Sequence, residues 1–123
     1  MSFTLKFYAK KVIVTFSNIV KNLELTNAFI EIIETVSIKK LSFIVFDFTN
    51  IHSYSIPDDY MERVKFVTHF SASWNSNIDI IFIATNPDVR HLATAYINHK
   101  DNLKWNYYLF KNMETAKKEF TNI

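Results

Sequence analysis

The sequence predicts a three-layer α/β domain, in which four helices cover a mixed, mostly parallel five-stranded sheet in the order ββαβαβαβα. Strand-length segments rich in β-branched and aromatic residues alternate with segments whose apolar residues recur about every three to four positions. Such alternation requires right-handed crossovers, and hence a mainly parallel sheet with helices packed against it. A chain of 123 residues, 49% of them hydrophobic, is sufficient for one core, and we expect a single domain over residues 1–123.

The first part of the chain predicts two opening strands, a helix and a central strand. Polar and apolar residues alternate over residues 3–7 and again over residues 12–16, which predicts two half-buried strands. Residues 25–36 place their apolar side chains on one helical face and their glutamates on the other. Residues 41–48 are a nearly continuous apolar run, which is typical of a central parallel strand buried on both faces.

In the second part of the chain, residues typical of helix starts predict where three helices begin. A proline followed by two aspartates begins the predicted helix over residues 57–74, since proline and acidic residues are favoured in a first turn. Residues 78–84 predict another buried strand. An asparagine is the expected N-cap of the helix over residues 86–97. Residues 105–110 predict the last strand, and a second asparagine cap begins the final helix over residues 112–120.

The composition excludes several classes of function. The chain has no glycine, so it lacks the glycine-dependent loops that cradle phosphates and the turn that presents a hydrolase nucleophile. It has no cysteine, which excludes disulfides and thiolate metal sites. A net charge of +2 does not by itself indicate nucleic-acid binding, and no apolar run approaches the roughly 20 residues of a membrane-spanning helix. We therefore expect a cytoplasmic protein with no membrane span and no nucleic-acid partner.

Two stretches of the chain carry a resemblance to a known family. Residues 44–51 combine an apolar run, an aspartate and a small polar turn, and residues 80–93 lead from a buried strand through an asparagine into a helix. Together with residues 108–110 and 113–116, they resemble the STAS-like domains, the family of anti-sigma factor antagonists and of the cytoplasmic tails of sulfate transporters. The resemblance implies that fold and a non-enzymatic role, the binding of a protein partner or of a small ligand.

The chain departs from that family at one informative position. Anti-sigma factor antagonists follow the central strand with an Asp-Ser-Ser-Gly-like turn whose serine is phosphorylated. The corresponding stretch here is Ser55, Ile56, Pro57 and Asp58, which has neither the serine pair nor the glycine. The resemblance therefore does not carry a phosphorylation switch over to this chain.

The segment after the central strand is the first candidate for a binding surface. We expect a loop over residues 49–57, which is long for a strand-to-helix connection of about 2–6 residues and is held at both ends by regular structure. Asp47 and Thr49 are expected to hydrogen-bond turn amides. We expect the surface from this loop to residue 61 to bind a protein partner, so that the chain acts as a regulatory or interaction module. The predicted contact residues are Asn50, His52, Ser53, Tyr54 and Ser55.

A second hypothesis is that the chain binds or senses a small anionic or lipid-like ligand. Parallel α/β sheets bind ligands at the carboxyl ends of their strands, where Thr85 and Asn86 are expected to lie. Arg90 falls in the first turn of the next helix, where a cation is unfavourable unless something compensates it. Either a local partner, such as Asp88 or Glu114, or a bound anion provides that compensation.

Catalysis and metal binding find less support in the sequence. His52, Ser53 and Ser55 lie close together, and an enzyme that uses them is a third hypothesis. The simpler interpretation is that Asp47 and Thr49 hydrogen-bond turn amides and that His52 is merely exposed. No two of the four histidines are spaced four residues apart, as two metal ligands on one helical face are. We therefore predict no enzymatic activity, no catalytic residue, no metal and no cofactor. A homodimer is left open beside the protein partner.

Overall fold

The computed structural model describes residues 3–21, 24–35, 40–55, 78–98 and 105–120. The predicted helix over residues 57–74 lies outside the described residues. None of the described helices is long and apolar enough to cross a membrane. The described elements are, in chain order, β1 (Phe3–Phe7), β2 (Lys11–Lys21), α1 (Glu24–Thr35), β3 (Phe43–Ser55), β4 (Asp79–Ile83), α2 (Pro87–Asn98), β5 (Asn106–Phe110) and α3 (Met113–Glu119).

The five strands form one mixed sheet in the order β1-β2-β3-β4-β5. β1 and β2 are antiparallel, and the connection at residues 8–10 is short because antiparallel neighbours need only a turn. β3, β4 and β5 are each parallel to the strand before them in the chain. In the chain, α1 connects β2 to β3 and α2 connects β4 to β5, because parallel neighbours need a long crossover connection. The predicted α/β fold with a mixed five-stranded sheet is confirmed.

Phenylalanine rings fill the core on one face of the sheet. Phe16 of β2 stacks on Phe48 of β3 with ring centroids 4.4 Å apart, and Phe46 stacks on Phe82 of β4 at 5.6 Å. Each of these rings is almost completely buried. Such rings contribute strongly to a core, because each removes about 150–250 Å² from water. The residues of α1 and α2 that are buried in the same cluster are Ala28, Ile32, Val89, Leu92 and Ala93.

The opposite face of the sheet is covered by α3, which completes the three layers. Ala116 of α3 is buried in a smaller cluster with Val45 and Ile81. Phe120, directly after the helix, meets Tyr108 of β5 edge-on, with ring centroids 4.8 Å apart. The predicted cap is confirmed, since the Asn112 side chain accepts a hydrogen bond of 2.8 Å from an amide in the first turn.

β2 and β3 are longer than the sequence predicts. The loop expected over residues 49–57 is wrong for residues 49–55, which continue β3 as a strand. β2 likewise continues past its expected end to Lys21, and the two extensions pair, with Asn50 opposite Ser17. Pairing gives the backbone amides and carbonyls of both segments hydrogen-bond partners. Tertiary pairing of this kind overrides the polar composition that predicted a loop.

Candidate functional site

β2 and β3 run on together beyond the end of β4. β3 pairs with β4 only as far as Asp47, opposite Ile83, whereas its pairing with β2 continues to Ser55. Residues 17–21 of β2 and residues 50–55 of β3 therefore form a two-stranded extension at the carboxyl ends of the parallel strands, named here the β2–β3 ribbon. Among the described strands, only β2 lies beside this part of β3.

Two irregularities in register occur where the ribbon begins, and both place the extra residue on β3. Between Asp47 and Asn50, β3 has one residue more than β2 has between Thr15 and Ser17. His52 is the second extra residue, because its neighbours on either side oppose consecutive residues of β2. Bulges of this kind bend a strand, increase its twist and re-aim its side chains, and they are enriched beside functional sites.

The first bulge is held in shape by the carboxylate of Asp47. Its Oδ1 atom accepts a hydrogen bond of 3.0 Å from the Thr49 amide and a second from the Thr49 hydroxyl. The predicted hydrogen bonding of an aspartate to a local amide is thus confirmed, although it occurs within a bulged strand. Thr49 and Asn50 are both exposed. The bulge therefore presents polar side chains from a fixed backbone.

All five residues predicted to contact a partner lie in the β3 strand of the ribbon and not in a loop. Asn50 is exposed, and the neighbouring Ile51 is half-buried against the main core. The backbone of residues 53–55 pairs with residues 19–21 of β2. The side chains of residues 52–55 lie outside the described part of the structure. Their role in binding a partner stays a prediction.

The residues predicted to bind an anion lie in the connection from β4 to α2 and in the first turn of α2. Asn86 caps α2 as predicted, since its Oδ1 atom accepts hydrogen bonds from the amides of Asp88 (2.9 Å) and Val89 (3.3 Å). The guanidinium of Arg90 donates from Nη1 to the carbonyl oxygen of Ala84 at 2.9 Å. Thr85 is exposed between them. The amides of Asp88 and Val89, which an anion would use, already donate to the Asn86 side chain. The guanidinium of Arg90 is held at the end of β4.

The two groups of predicted site residues lie at the same edge of the sheet. Asp47 and Ile83 are opposite each other where β3 and β4 stop pairing, and Thr49 and Thr85 each follow two residues later. Parallel α/β sheets place their binding sites at this edge. Within the described ranges, no three histidine, aspartate or glutamate side chains are grouped so that they could hold a metal ion. The described part of this edge offers hydrogen-bonding groups, the β2–β3 ribbon and the guanidinium of Arg90.

Sequence reasoning missed a cleft at the opposite edge, beside the amino ends of the parallel strands. Its volume is about 460 Å³. The sequence signal was the Lys10-Lys11 pair, which by itself indicates only the solvated end of a strand. The cleft depends on a contact between segments about 30 residues apart, which local patterns do not reveal. Its described lining residues are Tyr8, Ala9, Lys10, Lys11, Ser42 and Phe43.

Comparison with known proteins identifies the fold as that of the STAS-like domains, and so confirms the fold that the sequence resemblance implied. One similar solved structure is that of the anti-sigma factor antagonist SpoIIAA in its unphosphorylated form. The two structures share a TM-score of 0.61 and 11% sequence identity, over 98% of this chain and 99% of that chain. At this identity the likeness establishes the fold alone. No family model matches the chain, and no curated protein matches it.

Proposed function

We propose that this chain is a non-enzymatic regulatory or protein-interaction module that binds a protein partner through the β2–β3 ribbon and the residues that follow it, to residue 61. The observation that carries the proposal is the continuation of β3 to Ser55, beyond the last residue that β4 pairs. Its proposed contact residues are those predicted from the sequence. They are Asn50, His52, Ser53, Tyr54 and Ser55.

The ribbon offers a partner backbone groups as well as side chains. In the described sheet, residues 50–55 of β3 have β2 on one side, and their other side lies beyond the end of β4. At about 3.3 Å per residue, this edge is roughly 17–20 Å long. An extended segment of another protein gains main-chain hydrogen bonds by pairing with such an edge, and alternate side chains then give specificity.

The start of the ribbon is ordered before any partner arrives. Asp47 and Thr49 hold the first bulge, and Ile51 anchors the strand against the core. A binding surface that is already in shape loses less conformational entropy on association than one that must be ordered. The fold agrees with such a role, because SpoIIAA, which has a similar structure, is an anti-sigma factor antagonist.

Site-specific photocrosslinking tests the proposal. A photoreactive benzoyl-phenylalanine at Asn50 is expected to crosslink one discrete protein in the cells of origin, whereas the same group at Thr4, an equally exposed position of β1, is not. Asn50→Arg, which places a long charged side chain on the ribbon, is expected to abolish co-purification of that protein, and Thr4→Arg is expected to preserve it. A crosslink of equal yield from both positions, or full co-purification by Asn50→Arg, would contradict the ribbon as the interface.

The second candidate function, the binding of a small anionic or lipid-like ligand at Thr85, Asn86 and Arg90, rests on one observation. The hydrogen bond to Ala84 holds the Arg90 guanidinium at the carboxyl edge of the sheet, where such folds bind ligands. A phosphate titration followed by amide resonances distinguishes it. Shifts confined to residues 85–90, and lost in Arg90→Gln, favour this function, whereas unchanged resonances at millimolar phosphate exclude phosphate as its ligand.

A further inference from the structure

Backbone hydrogen bonds hold together the two segments that line the cleft beside the amino ends of the parallel strands. The carbonyl oxygen of Lys10 accepts hydrogen bonds from the amides of Ser42 and Phe43, at 2.7 and 3.2 Å. Within the turn from β1 to β2, the Tyr8 amide donates to the carbonyl oxygen of Lys11 at 2.9 Å. These bonds hold the turn against the start of β3. Backbone hydrogen bonds therefore fix the two segments that line the cleft relative to each other.

The cleft combines positive charge with aromatic surface. Lys10 is exposed, and the half-buried Lys11 places its Nζ atom 4.8 Å from the centroid of the Tyr8 ring. Phe43 is half-buried, and its ring meets Phe120 edge-on with centroids 5.8 Å apart. That contact fixes the orientation of the Phe43 ring. The described lining of the cleft thus includes two lysines and two aromatic residues.

Among the described residues that line the cleft, none is acidic. Asp79 lies close by, because it is opposite Phe43 in the sheet and its amide donates to the carbonyl oxygen of Ser42 at 3.0 Å. Its carboxylate already accepts a hydrogen bond of 3.3 Å from the Asn106 side chain. Lys40, which is exposed, adds a further positive charge just before β3. In the described surroundings of the cleft, positive charge therefore exceeds negative charge.

We propose that this cleft binds a small aromatic anion, a planar ring that carries a carboxylate or phosphate group. The ammonium groups of Lys10 and Lys11 act as point charges for the anionic group. The rings of Tyr8 and Phe43 give the planar part of the ligand an apolar surface against which it packs. A volume of about 460 Å³ lies within the roughly 300–1,000 Å³ of small-molecule pockets. The site lies at the edge of the sheet opposite the β2–β3 ribbon, so it is independent of the proposed partner interface.

Titration of the protein with phenyl phosphate, followed by amide resonances, tests the proposal. Saturable shifts are expected at residues 8–11 and at residues 42–43. Inorganic phosphate lacks the aromatic ring, and phenol lacks the anionic group. Each is therefore expected to bind at least about tenfold more weakly than phenyl phosphate. Shifts centred on residues 85–90, shifts scattered over the surface, or inorganic phosphate that binds as well as phenyl phosphate would overturn the proposal.

A pair of double variants distinguishes binding in this cleft from a general attraction of the ligand to the net positive charge of the protein. Lys10→Gln with Lys11→Gln is expected to weaken the binding of phenyl phosphate at least about tenfold, because it removes both charge-assisted contacts. Lys117→Gln with Lys118→Gln removes the same charge from exposed positions of α3 and is expected to leave binding unchanged. An equal loss in the two double variants would show that net charge alone recruits the ligand. Unchanged binding in the first variant would show that the cleft is not the site.

Discussion

At the scale of single residues, Asp47 is the last residue of β3 that pairs with β4, and its carboxylate accepts hydrogen bonds from both the amide and the hydroxyl of Thr49. A strand that loses a neighbour on one side has unpaired backbone groups and tends to fray. The two bonds to Asp47 give β3 a local restraint just beyond its last pair with β4. The residue therefore supports the shape of the ribbon and does not itself need to contact a partner.

Thr49→Val tests that restraint. Valine keeps the β-branched shape that suits a strand and removes only the hydroxyl, so the expected loss is about 0.5–1.5 kcal/mol in the free energy of unfolding, the contribution of one hydrogen bond. The measurement is urea denaturation of both proteins. Thr4→Val, the same change at an exposed position of β1, is the control. If the two substitutions prove equally mild, the hydroxyl contact does not stabilise the bulge.

Tyr107 gives a prediction at alkaline pH. Burial raises the pKa of its hydroxyl above the ordinary value of 10.0, because the ionised form would lose its hydration. Below pH 10 the hydroxyl is neutral in both folded and unfolded chains. Above about pH 10 the unfolded chain releases the proton and the folded chain does not, so stability falls as the pH rises.

Tyr107→Phe is therefore expected to reduce the fall in the free energy of unfolding between about pH 10 and pH 12, measured by denaturation at each pH. Tyr108→Phe is a useful comparison. Burial and then the charge of Asp79 raise the pKa of Tyr108 too, but this residue is only half-buried, and the effect is expected to be smaller. An unchanged slope in Tyr107→Phe would mean that its hydroxyl ionises alike in the folded and unfolded chains.

At the scale of elements, the sequence could predict only the apolar first half of β3. The run from Phe43 to Phe48 reads as a buried strand because both faces of the sheet are covered there. Residues 49–55 are mostly polar, and what makes them a strand is a pairing with β2 that no local pattern encodes. The candidate residues could thus be named from sequence, whereas their strand conformation and the two bulges could not.

The centre of β3 is expected to be the most sensitive point of the sheet. Phe46 is completely buried and contacts the rings of Phe16 and Phe82. Phe46→Ala is expected to lower the free energy of unfolding by about 3–5 kcal/mol, as truncations of buried phenylalanine do. Phe7→Ala on β1 is the matched control, because Phe7 is 38% exposed and should cost much less. Similar losses from both substitutions in denaturant titrations would contradict the assignment of Phe46 to the core.

At the scale of the whole molecule, the sheet separates two surfaces of different chemistry. The ribbon at the carboxyl edge presents the exposed side chain of Asn50 and strand backbone, and the cleft at the amino edge is lined by lysines and aromatic residues. Buried strands lie between them, with Ile44, Val45, Ile80 and Ile81 fully inaccessible to solvent. A rigid centre of this kind allows both surfaces to be tested by substitution without changing the fold.

Hydrogen exchange gives a test of that arrangement. The amides of residues 44–46 and 80–82 have strands on both sides and are expected to exchange most slowly, through openings that approach global unfolding. The amides of β1, at the edge of the sheet, and of the β2–β3 ribbon are expected to exchange at least about tenfold faster. Slowest exchange in β1 would show that the stable centre lies elsewhere.

The order of the strands in the sheet is the same as their order in the chain. During synthesis, each strand that leaves the ribosome therefore finds its neighbour already present at the growing edge, and no strand has to insert between two others. The β1–β2 hairpin is local, so it can form first and serve as the template on which β3, β4 and β5 are laid down in turn. Such a chain can assemble in one direction, with each new strand added at the same growing edge.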